Sequence, residues 1–187
     1  GKTYSISFIA NGEYSKILGL NQLFLVKDNI KFPFLHAGAM NLGLSEANID
    51  FPKNFISSIC NLYQIKGYCS IDFKILDNNI YILDFNPRLS SSYRLYTRKY
   101  ENLMHHHLGL VNNEVNMINN QYHAYIILYA KKDLVISDSI NELENISDRP
   151  TIGDSIKKDM PLFTINLHSN DKDDILFKIK NRIISAM

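Results

Sequence analysis

Residues 67–92 read "GYCSIDFKILDNNIYILDFNPRLSSS", two apolar runs either side of a polar "DNN". Alternation along each run predicts a β-hairpin with strands at 68–76 and 80–86. A three-residue loop at 77–79, with Asn79 in the left-handed conformation, places Ile71 opposite Phe85, Phe73 opposite Leu83, and Ile75 opposite Tyr81. Those pairs make one apolar face. The other face then sets Asp72 against Asp84 and Ser70 against Asn86. Slipping the register by one residue puts Asp72 beside Phe85 and mixes the two faces, which a half-buried hairpin selects against.

Directly opposed residues have Cβ atoms about 4.5–5.5 Å apart, and like charges so placed destabilise a sheet. The pair Asp72/Asp84 therefore calls for a cation, a proton or strong hydrogen bonding. Two carboxylates and the Asn86 amide form an all-oxygen set of the kind that holds Mg²⁺ together with water and phosphate oxygens. Pro87 fixes the exit of the strand, and Arg88 brings a guanidinium fork suited to phosphate. The plainer alternative is a pair of solvated acids on an open face, with Asp, Asn and Pro as ordinary turn residues.

Outward from the hairpin, "TYSISFIA" (3–10) reads as a strand that turns at Asn11-Gly12 into a partner at 14–26, with Gly19 a bulge or close-approach point. "KDN" (27–29) is a turn and "IKFPFLHAG" (30–38) a Pro-interrupted edge segment, with Gly38 and Gly43 in a loop. Asp50-Phe51-Pro52 opens an amphipathic helix over 52–65 that ends at Gly67, with Phe55, Ile56, Ile59, Cys60, Leu62 and Tyr63 at helical spacing. A second helix is expected over 100–111. The polar run "NNEVNMINNQ" (112–121) marks a boundary, giving domains at 1–115 and 121–187. Beyond it come the strand "HAYIILYA", short strands and turns, and a helix over 172–185 with Ile175, Leu176, Ile179, Ile183 and Ile184 inward. The fold class is α+β: an antiparallel sheet with packed helices, plus a small β-rich C-terminal module with a structural role and a possible part in self-association.

Composition narrows the function. The 187 residues are 45% hydrophobic and 21% charged with a net charge of +1, so no broad basic surface points to nucleic acid or anionic membrane. No apolar run has the length of a membrane span. Two cysteines, Cys60 and Cys69, without metal-type spacing fit buried thiols in a reducing, cytoplasmic setting. His105-His106-His107 is not read as a metal site, since helical neighbours point about 100° apart. Arg94, Arg98 and Lys99 form a basic cluster, usually a solvated face, in which Arg94 could hold an anion.

The hairpin resembles the metal-binding hairpin of the ATP-grasp superfamily: an Asp in one strand, then an acid and Asn in the next, followed by Pro-Arg. "YSISFIANGEYSKILGLNQL" is similar to the preceding hairpin of that fold's C-terminal subdomain. The resemblance covers about residues 1–110 and is nearest to predicted carboligases related to biotin carboxylase and tyramine–glutamate ligase. It implies Asp72, Asp84 and Asn86 as ligands of Mg²⁺ (or Mn²⁺), Arg88 as the catalytic contact to ATP phosphate or acyl phosphate, and Ser90 at the cofactor and substrate end. It further implies an ATP-dependent carboxylate–amine ligase acting on a small-molecule carboxylate through an acyl phosphate. Asp84 stands where the family more often has Glu, and Ser70 where some members have Arg. The N-terminal ATP-grasp subdomain, with its lysine and Gly-rich flap, has no counterpart here, so the chain is expected to be the C-terminal portion of a longer ligase and inactive alone. Two other readings stay open: a non-catalytic ATP-grasp relative, and an unrelated α+β domain binding a divalent cation.

Overall fold

The computed structural model describes residues 2–26, 34–46, 50–77, 79–111 and 114–186, with the side chains of 51 and 182–186 outside the description. The expected "KDN" turn, residues 30–33 of the segment at 30–38, and the inward-facing roles of Ile183 and Ile184 lie outside the described residues. In chain order the elements are β1 (Lys2–Asn11), β2 (Ser15–Leu25), β3 (His36–Leu42), α1 (Asp50–Tyr63), β4 (Lys66–Leu76), β5 (Asn79–Asn86), α2 (Leu103–His107), β6 (Tyr122–Tyr129), β7 (Leu134–Val135), β8 (Ile146–Ser147), β9 (Ser155–Ile156), β10 (Pro161–Ser169) and α3 (Lys172–Ala186). Short 3₁₀ turns lie at Leu44–Glu46, Ser91–Leu95 and Asp138–Glu142. The fold is α+β, and β1 with β2, β1 with β4, β4 with β5 and β6 with β10 pair antiparallel.

The chain forms two compact units: residues 1–23 with 40–120, and residues 24–39 with 121–187. In the first, the strand order is β5-β4-β1-β2, with β5 outermost. The turn after β1 is built as its sequence dictates: Asn11 Oδ1 accepts the amides of Glu13 and Tyr14, and Gly12 takes φ 96°. One face of these strands is apolar. Ile6, Phe8, Leu20, Ile71 and Phe73 are fully buried there.

Helix α1 presents a narrower stripe than its sequence suggests. Ile56 and Cys60 are buried, whereas Leu62 and Tyr63 are exposed. Gln64, at φ 51°, ends the helix, and Gly67 lies inside β4 opposite Ala10 rather than at the cap. Burial pushes the thiol of Cys60 up and that of Cys69 up to about 12; both are free. The expected helix over 100–111 is only five residues, Leu103–His107, and begins after Asn102 in a left-handed conformation. Its His107 accepts the Tyr68 amide on Nδ1 at 3.0 Å, so this histidine holds the start of β4.

"HAGAMNL", whose first four residues belong to the second unit, is a strand, not a loop. Gly38 sits within it at φ 141°, where a Cβ would overlap the Tyr125 carbonyl. Strands β3, β6, β10 and β8 are successive neighbours, and β7 pairs with β9. Helix α3 begins after Asp171, whose Oδ1 accepts the Asp173 amide, and it buries Ile175 and Ile179. Leu176, expected inward, is 36% exposed, because the apolar stripe follows the i, i+4 pair alone. No helix among the described residues is long and apolar enough to cross a membrane.

Candidate active site

The β4–β5 hairpin carries two registers. Ser70 pairs with Asn86, Ile71 with Phe85 and Asp72 with Asp84, as its alternation predicts. Nearer the turn, Phe73 pairs with Ile82, Ile75 with Ile80 and Leu76 with Asn79. The expected pairs Phe73–Leu83 and Ile75–Tyr81 do not form. Asp77 at φ 49°, rather than Asn79, supplies the left-handed residue, and the turn is one residue shorter than expected. Leu83 is the extra residue of a β-bulge that restores the register at Asp84. The apolar face survives because Ile80 and Ile82 replace Tyr81 and Leu83, which are left 51% and 55% exposed.

The polar face of the first unit extends past the hairpin. Ser7 pairs with Ser70 and Ser5 with Asp72 across β1–β4, and Asn21 pairs with Ser5 across β1–β2. Two cross-strand rows result: Asn86, Ser70, Ser7 and Gly19 in one; Asp84, Asp72, Ser5 and Asn21 in the other.

The first row is tied into a hydrogen-bond network. Ser70 Oγ donates to Ser90 Oγ at 3.0 Å, and Ser90 is linked to Ser92 at 2.8 Å. Tyr68 donates to Ser7 at 2.7 Å and lies 2.9 Å from Ser92. Asn21 Nδ2 donates to Ser7, and the Tyr96 hydroxyl donates to Asn21 Oδ1 at 2.6 Å. Burial raises the Tyr68 hydroxyl to about 12 and also pushes that of Tyr96 well above its ordinary value, so both remain donors across the ordinary pH range. The "SSS" after Arg88 is therefore fastened to the sheet through Ser90 and Ser92. Sequence reading named Ser90 but missed Ser7, Asn21, Tyr68, Ser92 and Tyr96. The available signal was serine at alternate positions of an otherwise apolar β1, in phase with Ser70 and Asp72.

Gly19 has both expected properties. The register shifts beside it, leaving Leu18 as a bulge residue whose carbonyl accepts the Tyr100 hydroxyl at 2.6 Å. A Cβ on Gly19 would strike the Tyr96 hydroxyl and come within 2.9 Å of its ring. Gly19→Ala is accordingly expected to destabilise the chain by about 1–3 kcal/mol through displacement of a fully buried ring. Chemical denaturation would measure it.

In the second row Asp72 is half-buried and Asp84 exposed; beside them Asn86, at the end of the first row, is buried, and Arg88, past the strand, is exposed. Burial pushes the Asp72 carboxyl above the ordinary carboxylate range; Ser5 pulls it back, Asp84 raises it further, and Arg88 lowers it. The Ser5 hydroxyl, though close enough to act on Asp72, makes no well-formed hydrogen bond and is fully buried. Among the described residues no ion pair engages either carboxylate, and no group of three or more His, Cys, Asp or Glu gathers. The set is two acids and an amide. That composition, with a buried hydroxyl left over, fits a hard cation with oxygen ligands rather than a soft one. Arg88 donates to the carbonyl of Leu89, which leaves most of its fork open. Lys99, expected on a solvated face, is buried with its amine on Asn120 Oδ1 and its pKa lowered by burial.

Residues 1–92, which contain the hairpin and both rows, match the family profile of the ATP-grasp domain. That stretch belongs to the ATP-grasp superfamily. An uncharacterized protein of Methanocaldococcus jannaschii is 28% identical over 94% of the chain and 42% of its own length. Among solved structures, the L-amino acid ligase of Bacillus licheniformis superposes over 100% of this chain and 53% of that one, with TM-score 0.74 at 10% identity. N5-carboxyaminoimidazole synthetase of Staphylococcus aureus, solved with ADP, does so over 100% of this chain and 50% of that one, with TM-score 0.67 at 14% identity. At these identities the likeness is one of fold. The chain thus spans less than half of its curated relative and about half of each of these two solved structures.

Proposed function

We propose that the chain is the C-terminal portion of an ATP-dependent carboxylate–amine ligase, and that Asp72, Asp84 and Asn86 bind Mg²⁺. The observation that carries this reading is the opposition of Asp72 and Asp84 beside Asn86, inside the stretch matched to the ATP-grasp domain. The match supports ATP as the phosphoryl donor. The fold shared with an L-amino acid ligase supports a small carboxylate and an amine as the joined partners.

Mg²⁺ at this position would neutralise phosphate charge and align the transferred group. The protein's own share of the work is placement. Asp72 and Asp84 are fixed by the strand pairing, and Asn86 is held beside them on the same face. Arg88 stands just past Pro87, where its guanidinium can meet the phosphoryl oxygens as negative charge shifts onto them. The substrate carboxylate oxygen would attack the γ-phosphorus, releasing ADP and forming an acyl phosphate. The amine then attacks the acyl carbon, phosphate leaves, and the amine loses a proton. Ser90, held through Ser70 and Ser92, lines the substrate end.

The coverage of about half of each solved ligase supports completion of the nucleotide site by a further segment. In calorimetry, this chain alone is expected to bind MgATP weakly; tight stoichiometric binding would overturn the division of labour. In the longer protein, Arg88→Ala is expected to lower kcat for ADP release by about 10²–10³ with little change in Mn²⁺ affinity. Unchanged kcat would remove Arg88 from the mechanism.

A further inference from the structure

The leftover hydroxyl in the second row has a definite position. Ser5 is 1% exposed and pairs with Asp72 on one side and Asn21 on the other. Asn21 is already engaged at both ends of its amide, by Ser7 and Tyr96. The side of Ser5 left to serve is the Asp72 side. A buried hydroxyl without a partner costs about 1–3 kcal/mol, and such groups in a folded chain mark a ligand, an ion or a strained functional position.

We propose that Ser5 is a positioning residue of the cation site, donating to the Asp72 carboxylate when that carboxylate is engaged by a divalent cation. The inference rests on the cation-binding reading above and extends it to β1, outside the hairpin. A carboxylate that binds metal through one oxygen leaves another acceptor open, and partners bonded there tune affinity by orienting the ligand. The distance between strands suits the role, since directly paired side chains lie about 4.5–5.5 Å apart at Cβ. The same row explains why β1 carries serine at a position where burial otherwise selects an apolar side chain. Ser7, its neighbour in phase, is bonded within the protein, whereas Ser5 is held in reserve.

The test is a Mn²⁺ titration of this chain followed by electron paramagnetic resonance, with melting curves taken in chelator. Ser5→Ala is expected to weaken Mn²⁺ binding by about tenfold. Its melting temperature without metal should change little, since no well-formed hydrogen bond is lost. Ser5→Thr, which keeps the hydroxyl, is expected to bind Mn²⁺ more tightly than Ser5→Ala. Parent-like Mn²⁺ affinity in Ser5→Ala would overturn the proposal, as would a lower metal-free melting temperature or failure to fold, either of which makes Ser5 a packing residue. Asp84→Asn separates the two readings. If the parent does not bind Mn²⁺, or Asp84→Asn binds it as the parent does, the cation reading itself fails and the role of Ser5 with it. If Asp84→Asn loses binding while Ser5→Ala keeps it, only the role of Ser5 fails.

Discussion

In chelator at pH 7, Asp72→Asn is expected to melt at a higher temperature than the parent chain while binding Mn²⁺ at least about 100-fold more weakly. The two effects have one origin. Burial, reinforced by the Asp84 charge, holds the Asp72 carboxyl above its ordinary value of 3.8. The folded chain therefore takes up a proton more readily than the unfolded chain. Stability from this group is fully present below the ordinary carboxylate value and is lost as pH rises through the raised one. At pH 7 the ionised carboxylate is a burden that a divalent cation offsets, and an amide of the same shape does not carry it. The advantage of Asn over Asp should accordingly shrink as pH falls towards the ordinary carboxylate range. Melting curves from pH 4 to 8, with and without MnCl₂, check both halves. A lower melting temperature for Asp72→Asn in chelator at pH 7 would mean that the carboxylate stabilises the fold without metal.

Gly38→Ala is expected to cost about 3 kcal/mol or more, the largest loss of stability for a single methyl in this chain. Two penalties coincide. The φ of 141° belongs to a region that side chains rarely adopt, and the added Cβ would overlap the Tyr125 carbonyl while lying 3.1 Å from the Ile126 Cα. Both obstacles are backbone atoms within β6, so no rotamer change relieves them. At about 2–4 °C per kcal/mol for a chain of this size, the melting temperature should fall by roughly 6–12 °C. A smaller fall, with the neighbouring His36–Tyr125 hydrogen bond at 2.8 Å still formed, would show that β3 can shift to accept the methyl.

The site was more legible in the sequence than the details around it. Alternation fixed which residues share a face, so the opposition of Asp72 to Asp84 followed from the need to keep Ile71 and Phe85 together. The turn was misread because Asp and Asn both tolerate left-handed backbone, and "DNN" offers three such residues in a row. Only the structure shows that Asp77 takes that role and that Leu83 absorbs the difference. "HAGAMNL" was misread for a related reason. Gly38, with Gly43 just beyond the stretch, suggests a loop, yet Gly38 is there so that β6 can approach. The network behind the site was hidden because it joins residues as distant as Asn21 and Tyr96. Serine and tyrosine carry no local pattern that announces such a partner.

The bulge at Leu83 also bears on how the molecule keeps to itself. Strand β5 is the outermost strand of its unit, and an outer strand offers its free backbone groups to any other chain that can lie alongside. A hairpin in uniform register would present a flat ribbon to such a visitor. The extra residue twists the ribbon midway, beside an exposed Asp84, so a second strand that matched one half would miss the other. The irregularity that brings two acids face to face thus also blunts the edge against aggregation, and any self-association of this protein should use a surface other than β5.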